Sequence, residues 1–463
     1  MKHHLFLFCL IFSCFTNAQL ENQEQLSYEE YLGYVKQFHP IAKQANLKLE
    51  EGQANLMKAR GGFDPKLEVD YNSKDFKSKD YYNIFNATFK VPTWYGIDVK
   101  ANLENNSGQF LNPQNDVPNN GLFTAGISAS LGQGLFINER MATVKQAKFF
   151  TEQTRAERDL MANDIIYQAS LAYFDWLQAY NETEMYKRFL NNARIRYKGV
   201  RASVIAGDKA GIDSLEANIN INNRALALEQ SKVKLIKSTL MVSNFLWLDN
   251  EIPLEIKPGI IPVGLAQDEV DTVLQLDKII SFNLEKHPKL RALDSKISGL
   301  TINKKLKANK LLPVIDVQYN FITQDPDISN SFNTSNYKAG LNVAFPLFLR
   351  KERGDLKLAK LKIEASKFER YNTSLSLNNK IEALQRELES YVAQNKIIDQ
   401  VVMDYETLLA AEERKFGFGE SSVFLINYRE SSLIDAQLKQ LKLKNKFYQT
   451  KAKLYNSLGT VLY

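Results

Sequence analysis

Polarity alternates with a period of two along several short stretches of this chain. Leu67, Val69 and Tyr71 are separated by Glu68 and Asp70. Phe85, Ala87, Phe89 and Val91 are separated by Asn86, Thr88 and Lys90, and Ile97, Val99, Ala101 and Leu103 by Asp98, Lys100 and Asn102. Phe123, Ala125, Ile127, Ala129 and Leu131 form a fourth set. Ile315, Val317, Tyr319 and Phe321, and then Tyr337, Ala339, Leu341, Val343 and Phe345, give two more. Side chains of a strand point alternately to its two faces, so each stretch predicts a strand that is apolar on one side.

Elsewhere the period is seven. Ile165, Ala172, Ala179, Tyr186, Ala193 and Val200 form one column, with Ala169, Trp176, Thr183, Leu190 and Tyr197 four residues after them. A second stretch carries Ile381, Leu388, Asn395, Val402, Leu409 and Phe416 beside Leu384, Tyr391, Ile398 and Tyr405. A third, shorter one carries Ile219, Leu226, Val233, Leu240 and Trp247. Apolar heptads sustained over this many turns predict supercoiling helices, with Asn395 as a buried amide that fixes register.

These elements occur twice in the same order. The first repeat, 19–250, predicts a helix over about 27–62, strands over about 66–131, a long helix over about 139–204, a turn and a helix over about 213–248. After a linker at 251–275, the second repeat, 276–463, predicts a helix to about 309, strands over about 314–346, a long helix over about 352–415, a turn and a helix over about 421–458. His39-Pro40 and His287-Pro288, Pro65 and Pro313, and Tyr71-Asn72 and Tyr319-Asn320 are all offset by 248 residues. A duplication of this kind has to be found first, because missing it misreads the fold. A helix of about 65 residues rises roughly 100 Å. The two shorter helices of each half, laid end to end, match that length.

Composition narrows the class. Residues 1–18 read as a secretory signal, with Lys2, an apolar stretch from Leu5 to Phe12 and a small-residue site at Thr16-Asn17-Ala18. Cys9 and Cys14 both lie in it, so the mature chain has no thiol chemistry, and lipidation of Cys14 is not expected. His3 and His4 leave with the signal. The remaining His39 and His287 read as helix residues beside proline kinks. Metal sites and His-dependent triads need several converging groups, so no catalytic site, metal or cofactor is expected. Beyond the signal no apolar window is long enough for a membrane helix, which needs about 20 residues. The net charge of +6 and the lysine runs at 296–310 and 439–453 read as solvated helix faces rather than as a nucleic-acid surface.

Alternating strands suit a membrane barrel or a soluble sandwich. The polar faces here carry charges and amides with little else, which suits a wet lumen. Each strand set also joins helices at both ends, so an even strand number returns the chain to the compartment it left. Six strands, four from the first half and two from the second, do not close a barrel, and open edges cannot face lipid. Several copies must therefore share one barrel, and three suffice. The expected fold class is an α+β membrane protein, with a duplicated long-helix coiled-coil tunnel and a β-barrel shared between the chains of a trimer.

The chain resembles the TolC-like outer-membrane efflux family over essentially its whole mature length. Gly207-Asp208-Lys209-Ala210-Gly211-Ile212-Asp213-Ser214-Leu215-Glu216-Ala217 is similar to the family's glycine turn and the helix start after it. Phe416-Gly417-Phe418-Gly419-Glu420-Ser421-Ser422-Val423 is similar to its second copy, and Ser457-Leu458-Gly459 to the typical helix end. The resemblance implies a homotrimer in the outer membrane with a periplasmic extension, whose tips meet a periplasmic adaptor (membrane fusion) protein and an inner-membrane transporter. The helix-tip turns and entrance would then be Gly207, Asp208, Gly211, Asp213, Gly417, Gly419, Phe424 and Asn427.

Two departures stand out. Many members carry an acidic ring after the second turn, where this chain has Phe424 and Asn427. Asp213 matches a family position that holds the entrance closed, and it equally suits a helix start. The first half also has about 35 extra residues between Tyr71 and Phe123, with Pro92-Thr93-Trp94-Tyr95-Gly96 as a turn. An inserted hairpin there would keep strand parity, and it either widens the barrel or projects outside the cell.

The expected function is passive exit through a water-filled tunnel, gated where the tips near 197–213 and 412–424 splay. Arg196, Tyr197, Arg201, Asp208, Asp213, Glu412, Glu413 and Arg414 are candidates for contacts broken on opening, and the four turn glycines are the stronger ones. Two alternatives stay open: the outer-membrane channel of a type I protein secretion system, and a non-channel periplasmic coiled-coil protein.

Overall fold

The computed structural model describes residues 24–266, 268–276, 282–327, 331 and 333–460. The signal at 1–18, with Cys9, Cys14, His3 and His4, lies outside the described residues.

The helices are α1 (Tyr28–Phe38), α2 (Pro40–Arg60), α3 (Glu139–Ile205), α4 (Gly211–Ser243), α5 (Glu269–Val273), α6 (Pro288–Asn309), α7 (Arg350–Gly417) and α8 (Val423–Leu458). The strands are β1 (Gln25–Leu26), β2 (Lys66–Phe76), β3 (Lys79–Pro92), β4 (Ile97–Ser107), β5 (Leu122–Ser130), β6 (Trp247–Leu248), β7 (Ile252–Pro253), β8 (Ile261–Pro262), β9 (Val314–Thr323) and β10 (Tyr337–Ala344). Both long helices run unbroken for 67 and 68 residues. Two compact units form, each drawn from both halves of the chain.

The helix starts at the two His-Pro steps differ from the expected kinks. His39 and His287 sit outside the helices as N-caps, and each Nδ1 accepts the backbone N–H two residues on, at 3.1 Å. Proline at the first helical position has no N–H to leave unsatisfied, so the two residues together start α2 and α6. The helix expected over 27–62 is thus two helices. The one expected from 276 begins only at Pro288, after a 3-10 turn at Leu284–Lys286 that Asn283 caps. Trp247 falls beyond α4, and Asn395 donates to the Tyr391 carbonyl of its own helix, so it bonds within α7 rather than across a seam.

One unit comprises residues up to 35, 169–269 and 397–445. β1 pairs with β8 in parallel, and Tyr173 donates its hydroxyl to the Leu26 and Val263 carbonyls that flank this bridge. Tyr28, Tyr31, Tyr173, Phe174 and Trp176 are buried together, and the Tyr28 hydroxyl donates to Ser170 Oγ at 2.7 Å. Aromatic side chains of this size bury the most apolar surface per residue, and a polar tip inside needs a partner.

The other unit comprises 36–168, 270–396 and 446 onward. It contains one six-stranded sheet in the order β10-β9-β5-β4-β3-β2, antiparallel throughout. The extra first-half residues are β3 and β4, and they lie inside this sheet between β2 and β5. Their turn is the expected one at 93–96, closed by Thr93 N–H to the Ile97 carbonyl at 2.9 Å.

Candidate channel surfaces

In the six-stranded sheet the register carries one polarity across every strand. Val69 pairs with Ala87, Ala87 with Leu103 and Leu103 with Phe123. Further along, Ile127 pairs with Tyr319, Tyr319 with Ala339 and Val317 with Leu341. All lie on the same face. Asp70, Asn86, Glu104 and Lys338 lie on the other. Leu67 and Leu341 are 70% and 69% exposed, large apolar groups with no cover from their own chain. Phe123, Phe321 and Tyr337 lie near the strand ends away from the helices, and Tyr71 and Phe85 pair midway along β2 and β3.

The sheet curls toward its polar side. Lys338 on β10 and Glu104 on β4 are three strands apart, about 14 Å on a flat sheet, yet their charged groups meet at 3.4 Å. A cleft of about 420 Å³, lined by Asp98, Lys100, Ser128, Asp316, Gln318 and Asn342 among others, opens on the same side. A sandwich would enclose the apolar face. This sheet turns that face outward, as a barrel with a wet lumen does.

In the first-described unit, the two interhelical turns share one geometry. Gly207 (φ +83°) follows α3, with Asp208 N–H donating to the Ser203 carbonyl at 2.9 Å and Gly207 N–H to Val204 at 3.1 Å. Gly419 (φ +80°) follows α7, with Glu420 N–H to Lys415 at 2.9 Å and Gly419 N–H to Phe416 at 3.1 Å. Both are Schellman caps, which need a left-handed residue where glycine has no Cβ to clash. Gly211 and Gly417 do not share that role: Gly211 opens α4 and Gly417 is the last residue of α7. After the second turn Ser422 Oγ caps α8 by accepting from Leu425 N–H at 3.2 Å. Ala210 gives α4 no side-chain cap, and Asp213 in its first turn supplies the negative charge that suits a helix start.

Near these turns a buried polar network joins α3, α4 and α8. Glu430, fully buried, meets Arg196 at 3.0 Å and Arg224 at 3.5 Å. Arg196 also reaches Glu413 at 3.2 Å. Asn427 accepts from Asn220 at 2.8 Å and donates to Glu216 at 3.3 Å. A carboxylate taken wholly out of water persists only when paired and hydrogen-bonded, and two guanidinium groups achieve that here.

Of the residues singled out from sequence, Arg196, Glu413 and Asn427 belong to this network. Tyr197 packs with Val204 and Phe416 on the buried cluster of Val200, Ala217 and Val423. Glu412 accepts from Ser421 at 2.6 Å and faces Arg429 at 3.8 Å. Arg201, Asp208, Arg414 and Phe424 are exposed. Glu430, Arg224, Asn220 and Glu216 were not anticipated. The one local signal for Glu430 is its spacing, four residues after Ile426 and three before Leu433 on the buried face of α8.

Residues 279–460 match the profile of the family described as outer membrane efflux protein. Over that stretch the chain is similar to the family. Three solved channel structures share the fold of this chain. The open state of the MtrE outer membrane channel of Neisseria gonorrhoeae is 15% identical, with 94% of this chain and 89% of that one covered and a TM-score of 0.67. The outer membrane protein VceC of Vibrio cholerae is 13% identical, with 93% and 95% covered and a TM-score of 0.65. The CmeC outer membrane channel of Campylobacter jejuni is 13% identical, with 93% and 85% covered and a TM-score of 0.64. No curated protein matches the sequence. No described helix is long and apolar enough to cross a membrane.

Proposed function

We propose that this protein is the outer-membrane exit duct of a tripartite efflux pump assembly. It works as a homotrimer whose periplasmic helices meet an adaptor protein and, through it, an energised inner-membrane transporter. Substrate moves passively through water-filled space, and the protein contributes shape, charge and a gate.

The observation that carries this is the open six-stranded sheet, apolar on its outer face and polar on its concave one. Neither edge has a strand partner within the described chain, and lipid does not tolerate unpaired edges. Helix α4 supports the same conclusion. Ile219, Leu226, Val233 and Leu240, its heptad column, are 52–60% exposed, whereas the side it turns to its own chain is mostly small or polar, Ala217, Asn220, Ser231, Ser238 and Ser243, with Leu228 and Val242 as its two larger apolar residues. A row of large apolar groups left uncovered marks a contact with another molecule, here a second copy. A periplasmic coiled-coil rod has no use for an outward apolar sheet.

At the helix tips, Gly207, Asp208, Gly211, Asp213, Gly417, Gly419, Phe424 and Asn427 form the turns and the entrance. The Arg196–Glu430–Arg224 network holds α3, α4 and α8, three of the four tip helices of each copy, together, and opening strains or breaks it. Purification from membranes in detergent, with mass measurement and bilayer conductance, tests the proposal. A conducting trimer is expected; a monomer stable without detergent defeats it.

A further inference from the structure

The β3–β4 hairpin has no counterpart in the second repeat, where β9 and β10 are joined directly. Three observations place it in the membrane wall. It occupies the middle of the sheet, paired with β2 on one side and β5 on the other over its length. Its outward residues Phe89, Val91, Val99 and Leu103 continue the apolar band of the flanking strands, while Lys90, Lys100 and Asn102 continue the polar face. A projecting arm would have no reason to keep that register, because a one-residue slip exchanges the two faces.

Its helix-side turn is also fixed to the body of the same unit. Trp94 stacks on Phe63 with ring centres 5.3 Å apart, and Asn138 Nδ2 donates to the Trp94 carbonyl at 2.8 Å. Arg140, in the first turn of α3, pairs with Asp98 at 2.8 Å.

We infer that the hairpin is an enlargement of the barrel: three copies contribute six strands each and close an eighteen-stranded pore, with β10 of one copy pairing antiparallel to β2 of the next. This rests on the trimeric channel proposed above. Parity supports the junction. All five neighbouring pairs are antiparallel, so the outermost strands of a six-stranded sheet run in opposite directions, and β2 meets the next copy's β10 in the antiparallel sense. Barrel diameter grows roughly linearly with strand number, so the pore is about one and a half times as wide as the twelve-stranded ring that trimers without the hairpin would form. At about 16–18 strands a barrel leaves an aqueous channel rather than a side-chain-filled interior. The ligand class implied for this region is therefore bulky, hydrated solute, met by a lumen of mixed charge.

The test is single-particle imaging of the full-length protein in detergent, beside a variant lacking residues 79–107, which leaves 108–121 to join the ends of β2 and β5. Eighteen strands in the wild type, falling to twelve in a folded variant with the perimeter reduced by about a third, is the expected result. A wild-type trimer with twelve wall strands and the hairpin outside overturns the inference and leaves the channel standing. A monomer that needs no detergent overturns both. If the variant does not fold, the wild-type strand count decides alone.

Discussion

Helices α3 and α4 carry the same seven-residue apolar spacing and use it in opposite ways. On α3, Ala169, Trp176, Ala179, Leu190, Ala193 and Val200 are all buried. On α4 the heptad column faces away from the chain, and the inward side is mostly small or polar, with Leu228 and Val242 the larger residues buried there. The difference shows that a heptad announces a partner without saying which molecule supplies it. A helix whose inner face is mostly Ala, Ser and Asn, with only Leu228 and Val242 as larger apolar groups, gains less from burial, since hydrophobic stabilisation scales with the apolar area removed from water. The larger part of what α4 has to gain lies in its contact with a neighbour.

The strongest way to break this contrast is on α3. Trp176→Ala opens a cavity in a fully packed site and is expected to cost about 4 kcal/mol, seen as a lower urea midpoint with fold and trimer lost together. Arg196→Ala comes next, at about 3 kcal/mol, because it withdraws one of two cations from a buried Glu430. Since the network ties α3 to α4 and α8 at the tips, single-channel recordings of this variant should show more frequent opening; unchanged recordings would remove the network from the gate.

On α4 the expectation is different in kind. Leu226→Glu should cost about 2 kcal/mol per copy at the interface while leaving helix content by circular dichroism unchanged. An intact trimer in that variant would show that α4 makes no contact between copies.

The smallest effect sharpens the picture at the second His-Pro start. Burial, and secondarily Lys289, lowers the His287 pKa from 6.5 to about 4, although the nearby Ser457 carbonyl pulls the other way. The folded state therefore prefers neutral imidazole, and between pH 4 and 6.5 the unfolded chain binds more protons. Stability from this group is complete above 6.5 and is lost as pH falls toward 4. His287→Asn, which keeps a capping side chain, should flatten the melting-temperature profile in that window. An unchanged slope would assign the acid sensitivity to other groups.

Much of this was open to a reader of the residues. The strands were legible because alternation is a local property, and the polar and apolar rows of Leu67–Tyr71 or Ile97–Leu103 need only a few neighbours to declare themselves. The turn glycines were equally plain, though only the backbone separated Gly207 and Gly419, with positive φ, from Gly211 and Gly417 at helix ends. The His-Pro steps read as kinks when they are caps, because a cap depends on where one ring nitrogen points. Glu430 stayed hidden for a different reason. It looks like any surface carboxylate until Arg196, 234 positions away, folds onto it.

The duplicated plan, the two long helices and the apolar side of every strand were fixed by residue spacing, since periodicity of two or seven commits a segment to one face wherever it ends up. Strand order was not fixed that way. That β3 and β4 sit inside the sheet between β2 and β5, and that α3 satisfies its apolar column within the chain while α4 leaves its own exposed, depend on which surfaces dock. Docking is a competition among distant segments, and only the assembled fold records its outcome.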